Sequence, residues 1–216
     1  EITTRLVGSE MCIRDRFGLV KSSGMEDSLN VALELSRQTV SISKEALEKL
    51  ASILVRTEIK KGQNFLDEGD VCKQIGFVQK GLVRQYYYKN KKEFTEHFSC
   101  EGDVFICIES FLRQVPSRLI VEALENTVIY GLPHDDVLAL GAECFEIEVL
   151  YRGLLENSLI LSQVKMDMFR METANERYNR LLREQPEIVK RAPLSHIASY
   201  LLMTPETLSR VRANIV

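Results

Sequence analysis

The chain has 216 residues, enough for one large or two modest domains with a sizeable core. No apolar run approaches the ~20 residues that span a bilayer, so we expect no membrane partner. The net charge of −3 is unevenly spread: residues 170–216 hold eight Lys/Arg and five Asp/Glu, a net of +3, and the remainder is acidic. A basic C-terminal end suits nucleic-acid binding, although an ordinary solvated helical surface has the same balance.

The cysteines are odd in number, widely spaced and free of any Cys-x-x-Cys pair. This usage predicts reduced thiols in a cytoplasmic protein, with no disulfide framework and no zinc site. The five positions are Cys12, Cys72, Cys100, Cys107 and Cys144.

The first residues, EITTRLVGSEMCIRDR, have no sustained period and resemble a translated sequencing-adapter sequence. We expect residues 1–24 to be a non-native or disordered tail, with a natural start at Met25. The alternative is a disordered tail that belongs to the natural protein.

The next part of the chain, residues 25–141, combines one short helix with many short strands. EALEKLASILV, from Glu45, has the apolar spacing of a helix. Strand-like segments such as IGFVQKGLVRQYYY, EFTEHFS and RLIVEAL follow, separated by glycine turns and by KNKK. Phe94 and Phe98 are expected to share one buried face. The pattern favours a β-sandwich or barrel over alternating βαβ units.

A long helix is predicted over residues 142–173. Its apolar residues recur at steps of three and four, and one polar residue stands in the series. A polar seam residue of this kind can pair with its symmetry mate, so we favour a homodimer over an ordinary amphipathic helix. The seam begins at Ile147 and ends at Met171, and the proposed dimer contacts are Leu150, Leu154, Asn157, Leu161, Val164 and Met168.

Residues 174–216 predict short helices punctuated by Pro186 and Pro193. In HIASYLLMTPETLSRVR, Thr204 is a good N-cap and Pro205 suits the first helical position. This arrangement is typical of a helix-turn-helix, whose second helix reads the major groove of DNA. Arg210 and Glu206 would read base edges, and Arg212 would contact phosphate. Ser209 and Thr207 would contact bases or phosphates. The candidate DNA-binding residues are Thr204, Glu206, Thr207, Ser209, Arg210 and Arg212.

The stretch PLSHIASYLLMTPETLSRVR resembles the C-terminal helix-turn-helix of Crp/Fnr-superfamily transcription regulators, in particular a branch common in Bacteroidetes-type bacteria. KKGQNFLDEGD, FSCEGDVF and EALENT resemble the family's cyclic-nucleotide-binding β-barrel, and the blocks follow in family order. The resemblance implies an α+β protein with an N-terminal β jelly-roll sensor barrel, a long dimerisation helix and a C-terminal winged helix-turn-helix.

Two departures from the family pattern concern the turn and the effector. Leu202 stands where family members usually carry glycine. If the backbone there is left-handed, the leucine costs roughly 1–2 kcal/mol of stability. The Gly-Glu and Arg-Ser/Thr pairs that hold a cyclic nucleotide are missing in register, so we expect no tight binding of cyclic AMP. Glu109 and Arg118 are candidates for a remodelled pocket, or are surface charges. The cysteine positions do not support an iron–sulfur cluster.

We therefore expect a dimeric DNA-binding transcription regulator with a double-stranded operator, an unknown small-molecule effector and, if it is an activator, RNA polymerase as partners. A cupin-like enzyme would need clustered histidines, whereas His97, His134 and His196 are scattered, so we expect no enzyme. The alternative is a ligand-binding or interaction protein whose helix-turn-helix no longer binds DNA.

Overall fold

The computed structural model describes residues 24–213 of the chain. The predicted tail, apart from Gly24, and Cys12 within it lie outside the described residues, as do residues 214–216. None of the helices in the described part is long and apolar enough to cross a membrane.

Within the described residues, two helices precede the first strand. Helix α1 (Gly24–Arg37), for which we predicted no element, buries Val31 and Leu35 in the core. Helix α2 (Lys44–Ile53) matches the predicted helix. It begins there because the Ser43 side chain accepts a hydrogen bond from the amide of Ala46, and it ends where the backbone becomes extended.

Eight strands form two four-stranded antiparallel sheets, which confirms the predicted β-sandwich or barrel. The first sheet has the order β1 (Val55–Ile59), β8 (Thr127–Pro133), β3 (Gln74–Lys80) and β6 (Val104–Phe105). The second has the order β2 (Asn64–Leu66), β7 (Ile120–Ala123), β4 (Val83–Lys89) and β5 (Lys92–Ser99). The inner faces of both sheets pack into one core. The glycines predicted to mark turns have positive φ values: Gly62, Gly69, Gly81 and Gly102.

A β-bulge in β5 decides which side of the second sheet each aromatic residue faces. The pairing of β5 with β4 skips Glu96, so Phe94 lies opposite Tyr87 while Phe98 lies opposite Arg84. Since those two partners are three residues apart in β4, they point to opposite faces. The expectation that Phe94 and Phe98 share one face is therefore wrong, because one extra residue reverses the alternation.

After β6, helix α3 (Ile108–Arg113) precedes β7, and helix α4 (His134–Glu143) follows β8. Helix α5 (Phe145–Met171) then runs for 27 residues within the range predicted for the long helix. The N-terminal half of α5 packs on the barrel through Ile147, which is fully buried.

The C-terminal residues form four helices: α6 (Ala174–Glu184), α7 (Pro186–Arg191), α8 (Leu194–Tyr200) and α9 (Pro205–Ala213). The prolines mark these helices as predicted, and Thr173 and Glu176 form a capping box at the start of α6. No strand lies among described residues 174–213, so a wing is not part of the described structure.

The turn between α8 and α9 contains Leu202 in the left-handed region, with φ of 52°. The amide of Met203 donates to the carbonyl oxygen of Ala198 across this turn, and the Leu202 side chain is 53% exposed. The turn thus has the backbone that a glycine would adopt without strain, and the leucine gains little burial there.

We predict that Leu202→Gly raises the free energy of unfolding by about 0.5–1 kcal/mol. Relief of the left-handed strain, roughly 1–2 kcal/mol, exceeds the added entropy of the unfolded chain, about 0.4–1 kcal/mol. Urea denaturation measures the change. The control is Leu112→Gly in α3, where a similarly exposed leucine has helical backbone and the substitution should destabilise by about 1 kcal/mol. A Leu202→Gly variant no more stable than the parent would contradict the prediction.

Candidate DNA-binding surface and sensor domain

Helix α9 presents a polar face to solvent. Leu208 and Val211 are buried against the neighbouring helices, and each contributes about 1.5–3 kcal/mol by its burial. Four of the predicted DNA-binding residues are exposed on the rest of the helix surface: Glu206, Ser209, Arg210 and Arg212. The described structure therefore leaves this face of α9 free of intrachain packing.

Thr204 and Thr207 differ from the other predicted residues because they hold the start of α9. The Thr204 hydroxyl accepts a hydrogen bond from the amide of Thr207 at 3.2 Å, and the two hydroxyls lie 3.2 Å apart. Backbone amides and the Thr204 hydroxyl, with a smaller effect of Arg210, hold the pKa of Glu206 below its ordinary value. Glu206 is thus a carboxylate close to the cation of Arg210.

Most cations of the C-terminal region are engaged in intrachain contacts. Arg177 donates to the carbonyl oxygens of Leu201 and Glu172, and so supports the turn before α9. Four more have carboxylate partners: Arg180, Arg183, Lys190 and Arg191. Within residues 24–213, the cations of this region with neither an ion pair nor a side-chain hydrogen bond are Arg170, Arg210 and Arg212. Two of these three cations are in α9. The count of eight cations in the sequence does not reveal this concentration.

Helix α8 covers the edge of the second sheet. Ser199 accepts a hydrogen bond from the amide of Thr95 at 2.9 Å and donates to the carbonyl oxygen of Glu93 at 3.2 Å. These are edge groups of β5, which pairs only with β4. Phe98 packs edge-to-face on Tyr200 with 5.3 Å between ring centroids. Helix α8, the first helix of the predicted helix-turn-helix, is thereby docked on the barrel, while the polar face of α9 stays exposed.

Arg84 is the charged residue at the centre of the contact between α8 and the second sheet, and its side chain is only 1% exposed. Its guanidinium donates to the Glu93 carboxylate at 2.8 Å, to the Thr95 hydroxyl at 2.9 Å, and lies 3.2 Å from Nε2 of His196. Burial, and secondly the nearby Arg84 cation, lower the pKa of His196, so the ring is neutral and can accept from Arg84. Burial alone would raise the pKa of Glu93, but Arg84 outweighs it and lowers that pKa.

The bulge in β5 also joins the barrel to α5. The carbonyl oxygen of Glu96, the residue skipped by the pairing, accepts a hydrogen bond from Lys165 of α5. The Lys165 ammonium lies 5.2 Å from the ring centroid of Tyr200, and burial lowers its pKa to about 8. Strand β5 is thus in contact with both α5 and α8.

Arg191 ties helix α7 to two loops of the barrel. Its guanidinium binds both carboxylate oxygens of Glu101, at 2.7 and 2.9 Å, and also contacts Glu125. Arg191, together with the amide of Gly81, lowers the pKa of Glu101 to about 2. None of these partners was predicted from the sequence, because the bonded residues are 66 to 90 positions apart.

The two candidate effector residues, Glu109 and Arg118, have separate partners in the structure. Glu109 in α3 pairs with Arg113 at 3.2 Å, and both side chains are exposed. The Arg118 guanidinium lies 5.3 Å from the ring centroid of Tyr87, which stacks on Phe94. Sequence reasoning missed this Arg–Tyr–Phe stack, although the tyrosine run in β4 was a signal for it.

The predicted dimer seam divides into a buried and an exposed part. Leu150 and Leu154 are buried in the core of their own chain, and Met168 is buried near Leu181 and Tyr200 of the C-terminal helices. These three residues are therefore engaged within the chain, which the helical period could not reveal.

The middle of the seam is open. The side-chain amide of Asn157 donates to the carbonyl oxygen of Gln38 at 3.1 Å and is engaged within its own chain. Leu161 is 62% exposed, and Val164 is also exposed. Ile160, which was not named from the sequence, is exposed beside them. An apolar strip therefore continues along α5 beyond the barrel core.

Comparisons with known proteins agree with this architecture. Residues 56–144 match the family model described as the cyclic nucleotide-binding domain. The solved structure of FixK2 from Bradyrhizobium japonicum is similar, with 22% sequence identity, coverage of 76% of this chain and 84% of FixK2, and a TM-score of 0.63. The catabolite activator protein of Thermus thermophilus is 20% identical over 84% of this chain and 86% of its own, with a TM-score of 0.53.

A protein from Eubacterium rectale, described as a transcriptional regulator of the Crp/Fnr family, is 16% identical over 80% of this chain and 83% of its own, with a TM-score of 0.62. A search of curated protein sequences finds no match. The chain therefore has the fold of these solved regulators, with residues 56–144 matching the cyclic nucleotide-binding domain model. The predicted resemblance is thereby confirmed, and its assignment to a Bacteroidetes-type branch stays a prediction.

We predict that the stability of the chain falls as pH is lowered from about 4.5 towards about 2, in part through Glu101. Because its pKa is lower in the folded chain than the ordinary 4.5, its contribution is complete above that value and is lost as the folded carboxylate is protonated. Urea denaturation at several pH values measures the effect. Glu101→Gln should lose less stability over this range, whereas the exposed control Glu109→Gln should follow the parent. Parallel curves for Glu101→Gln and the parent would contradict the role of the Arg191 pair.

Proposed function

We propose that the protein is a sequence-specific DNA-binding transcription regulator of Crp/Fnr type that acts as a dimer in the cytoplasm. The observation that carries this proposal is the exposed face of α9, where Arg210 and Arg212 form no ion pair with any residue of 24–213, unlike neighbouring cations. Arg210 and Glu206 read base edges, Ser209 and Thr207 contact bases or phosphates, and Arg212 contacts phosphate. Thr204 contributes by capping the helix.

The barrel is proposed to sense a small-molecule effector whose identity is open. Glu109 and Arg118 remain candidates for its pocket, and the absence of the family's phosphate-binding pairs from the sequence argues against cyclic AMP. The partners are a double-stranded operator, a second copy of the chain and, for an activator, RNA polymerase. We propose no catalytic activity.

The alternative is an interaction protein whose helix-turn-helix no longer binds DNA. The docking of α8 on the barrel favours this alternative. The docking depends on contacts of Arg84, Ser199 and Phe98. Only the regulator requires DNA affinity that is both salt-sensitive and sequence-selective. Selection from a randomised DNA pool, followed by titration of the selected site at several salt concentrations, separates the two functions.

For the dimer, we predict that Leu161→Glu halves the mass measured by light scattering at micromolar concentration. The charge would lie in the exposed apolar strip of α5, where a partner helix would have to bury it. Leu159→Glu is the matched control, because Leu159 is 57% exposed on the same helix but lies about 160° away around its axis. A monomeric parent protein, or two variants with equal masses, would contradict a seam through Leu161.

For DNA recognition, we predict a palindromic site with half-sites about one helical turn, ~10 bp, apart. Arg210→Ala should cost ~1–3 kcal/mol of binding free energy and relax selectivity at one base pair per half-site. Arg212→Ala should weaken all sequences alike and flatten the salt slope by about one unit. Mobility shifts over a set of single-base operator variants measure both effects.

The control for these variants is Arg183→Ala, which removes an exposed cation of α6 that is paired with Glu184. It should change neither selectivity nor the salt slope. If Arg210→Ala leaves affinity and selectivity as in the parent, the assignment of base reading to Arg210 is wrong.

A further inference from the structure

The hairpin that joins β4 to β5 ends in a cluster of lysines. Its tip, residues 89–92, has the sequence KNKK, and all four residues are exposed. Lys89, Lys91 and Lys92 have neither an ion pair nor a side-chain hydrogen bond with any residue of 24–213. Lysines elsewhere in the described chain, such as Lys49 and Lys190, do have carboxylate partners. The function proposed above does not use the hairpin tip.

The carboxylate next to the hairpin tip does not balance its charge. Glu93 directly follows the tip in the chain, and its carboxylate accepts hydrogen bonds from Arg84 at 2.8 Å and from the Tyr88 hydroxyl at 3.3 Å. Because Glu93 already neutralises a buried cation of the sheet, the tip keeps three positive charges within four exposed residues.

The local structure of the hairpin tip opposes folding in two ways. Asn90 and Lys91 have φ values of 53° and 61°, as in a type I′ turn, which favours Asn-Gly. Lys91 therefore stands where a glycine would avoid left-handed strain. Lys89 and Lys92 lie directly opposite each other across the two strands, where like charges repel. Exposed residues that oppose local stability without any packing gain are expected where a surface has a function.

The contacts of α8 place the hairpin tip close to the reading helix α9. Ser199 of α8 bonds to the amide of Thr95 and to the carbonyl oxygen of Glu93, the residue after Lys92. Helix α9 begins at Pro205, six residues after Ser199. Six residues span at most about 22 Å, whereas one turn of DNA is about 34 Å long. The tip and the start of α9 therefore lie within about one turn of DNA.

We propose that the hairpin tip binds phosphates of the DNA that flanks the bases read by α9. This contact rests on the proposed function and deepens it, because it names a second surface for the same partner. Lysine ammonium groups bind phosphate as point charges and carry no base preference. The tip thus adds affinity and salt dependence on every sequence and adds no selectivity.

The test compares the full chain with a variant that carries Lys89→Gln, Lys91→Gln and Lys92→Gln. The probe is the selected operator, extended by about ten base pairs on each side. Since each phosphate contact contributes about 0.9 units to the slope of log affinity against log salt, the variant should flatten that slope by about two to three units. Its selectivity over single-base operator variants should equal that of the parent. Removing the flanks from the operator should give the parent the slope of the variant.

The matched control replaces three other exposed lysines, Lys60, Lys61 and Lys80, by glutamine. These lysines lie near the start of β4, whereas the hairpin tip is at its end, so the control has the same loss of charge and should keep the parent's slope. A parent without selective DNA affinity would overturn the regulator function and this contact with it. A selective parent whose tip variant keeps the full slope would overturn the tip contact alone. If that variant also lost transcription by RNA polymerase, the tip would belong to a protein interface instead.

A single substitution separates DNA binding from a role in the fold. Lys91→Gly should raise the urea midpoint, because it relieves the left-handed backbone, and should flatten the salt slope by about one unit. Urea denaturation and mobility shifts on the same preparation measure the two effects. A variant that gains stability and keeps the salt slope of the parent would show that Lys91 does not contact DNA, and would overturn the proposal at this position.

Discussion

The buried guanidinium of Arg84 is the constraint on which the arrangement of barrel and C-terminal helices depends. An unpaired charge in a protein interior costs several kcal/mol, so this one requires its partners. Glu93, Glu122 and Thr95 come from the sheet, and His196 comes from α8. The Nη2 atom has no hydrogen-bond partner among residues 24–213. Removing α8 would leave the guanidinium with fewer partners and expose Phe98, so the sheet and the helix support each other.

The exposure of α9 follows from the way α8 is used. In helix α8, Ile197 and Ala198 pack in the C-terminal core, and Ser199 hydrogen-bonds to the edge of β5. Helix α9 packs on that core through Leu208 and Val211, and within residues 24–213 its polar side makes few contacts beyond the Thr204 cap. The same docking pairs Arg191 with Glu101 and Glu125, so this cation is engaged within the chain.

Strand β5 and helix α5 are where the barrel, the long helix and the C-terminal helices meet. The bulge at Glu96 frees a carbonyl oxygen for Lys165, and it turns Phe98 outward to Tyr200 while Phe94 stays beside Tyr87. A change in the barrel that alters the bulge would therefore reach both helices. The buried thiol of Cys107 lies beside Gln85 of β4, on the other side of the same sheet.

The sequence by itself determined the elements whose signals are local. Pro186 and the Thr204–Pro205 pair marked the helix starts, the glycines marked the turns, and the apolar period marked the long helix. Only the tertiary structure decided that Leu150 and Leu154 belong to the core of their own chain while Leu161 is exposed. It also decided that Arg191 is paired while Arg210 forms no ion pair among residues 24–213, and that Phe94 and Phe98 face opposite ways. The physical reason is that propensity and periodicity report neighbours within a few residues, whereas ion pairs, bulges and contacts between helix and sheet join residues that meet only after the chain has folded.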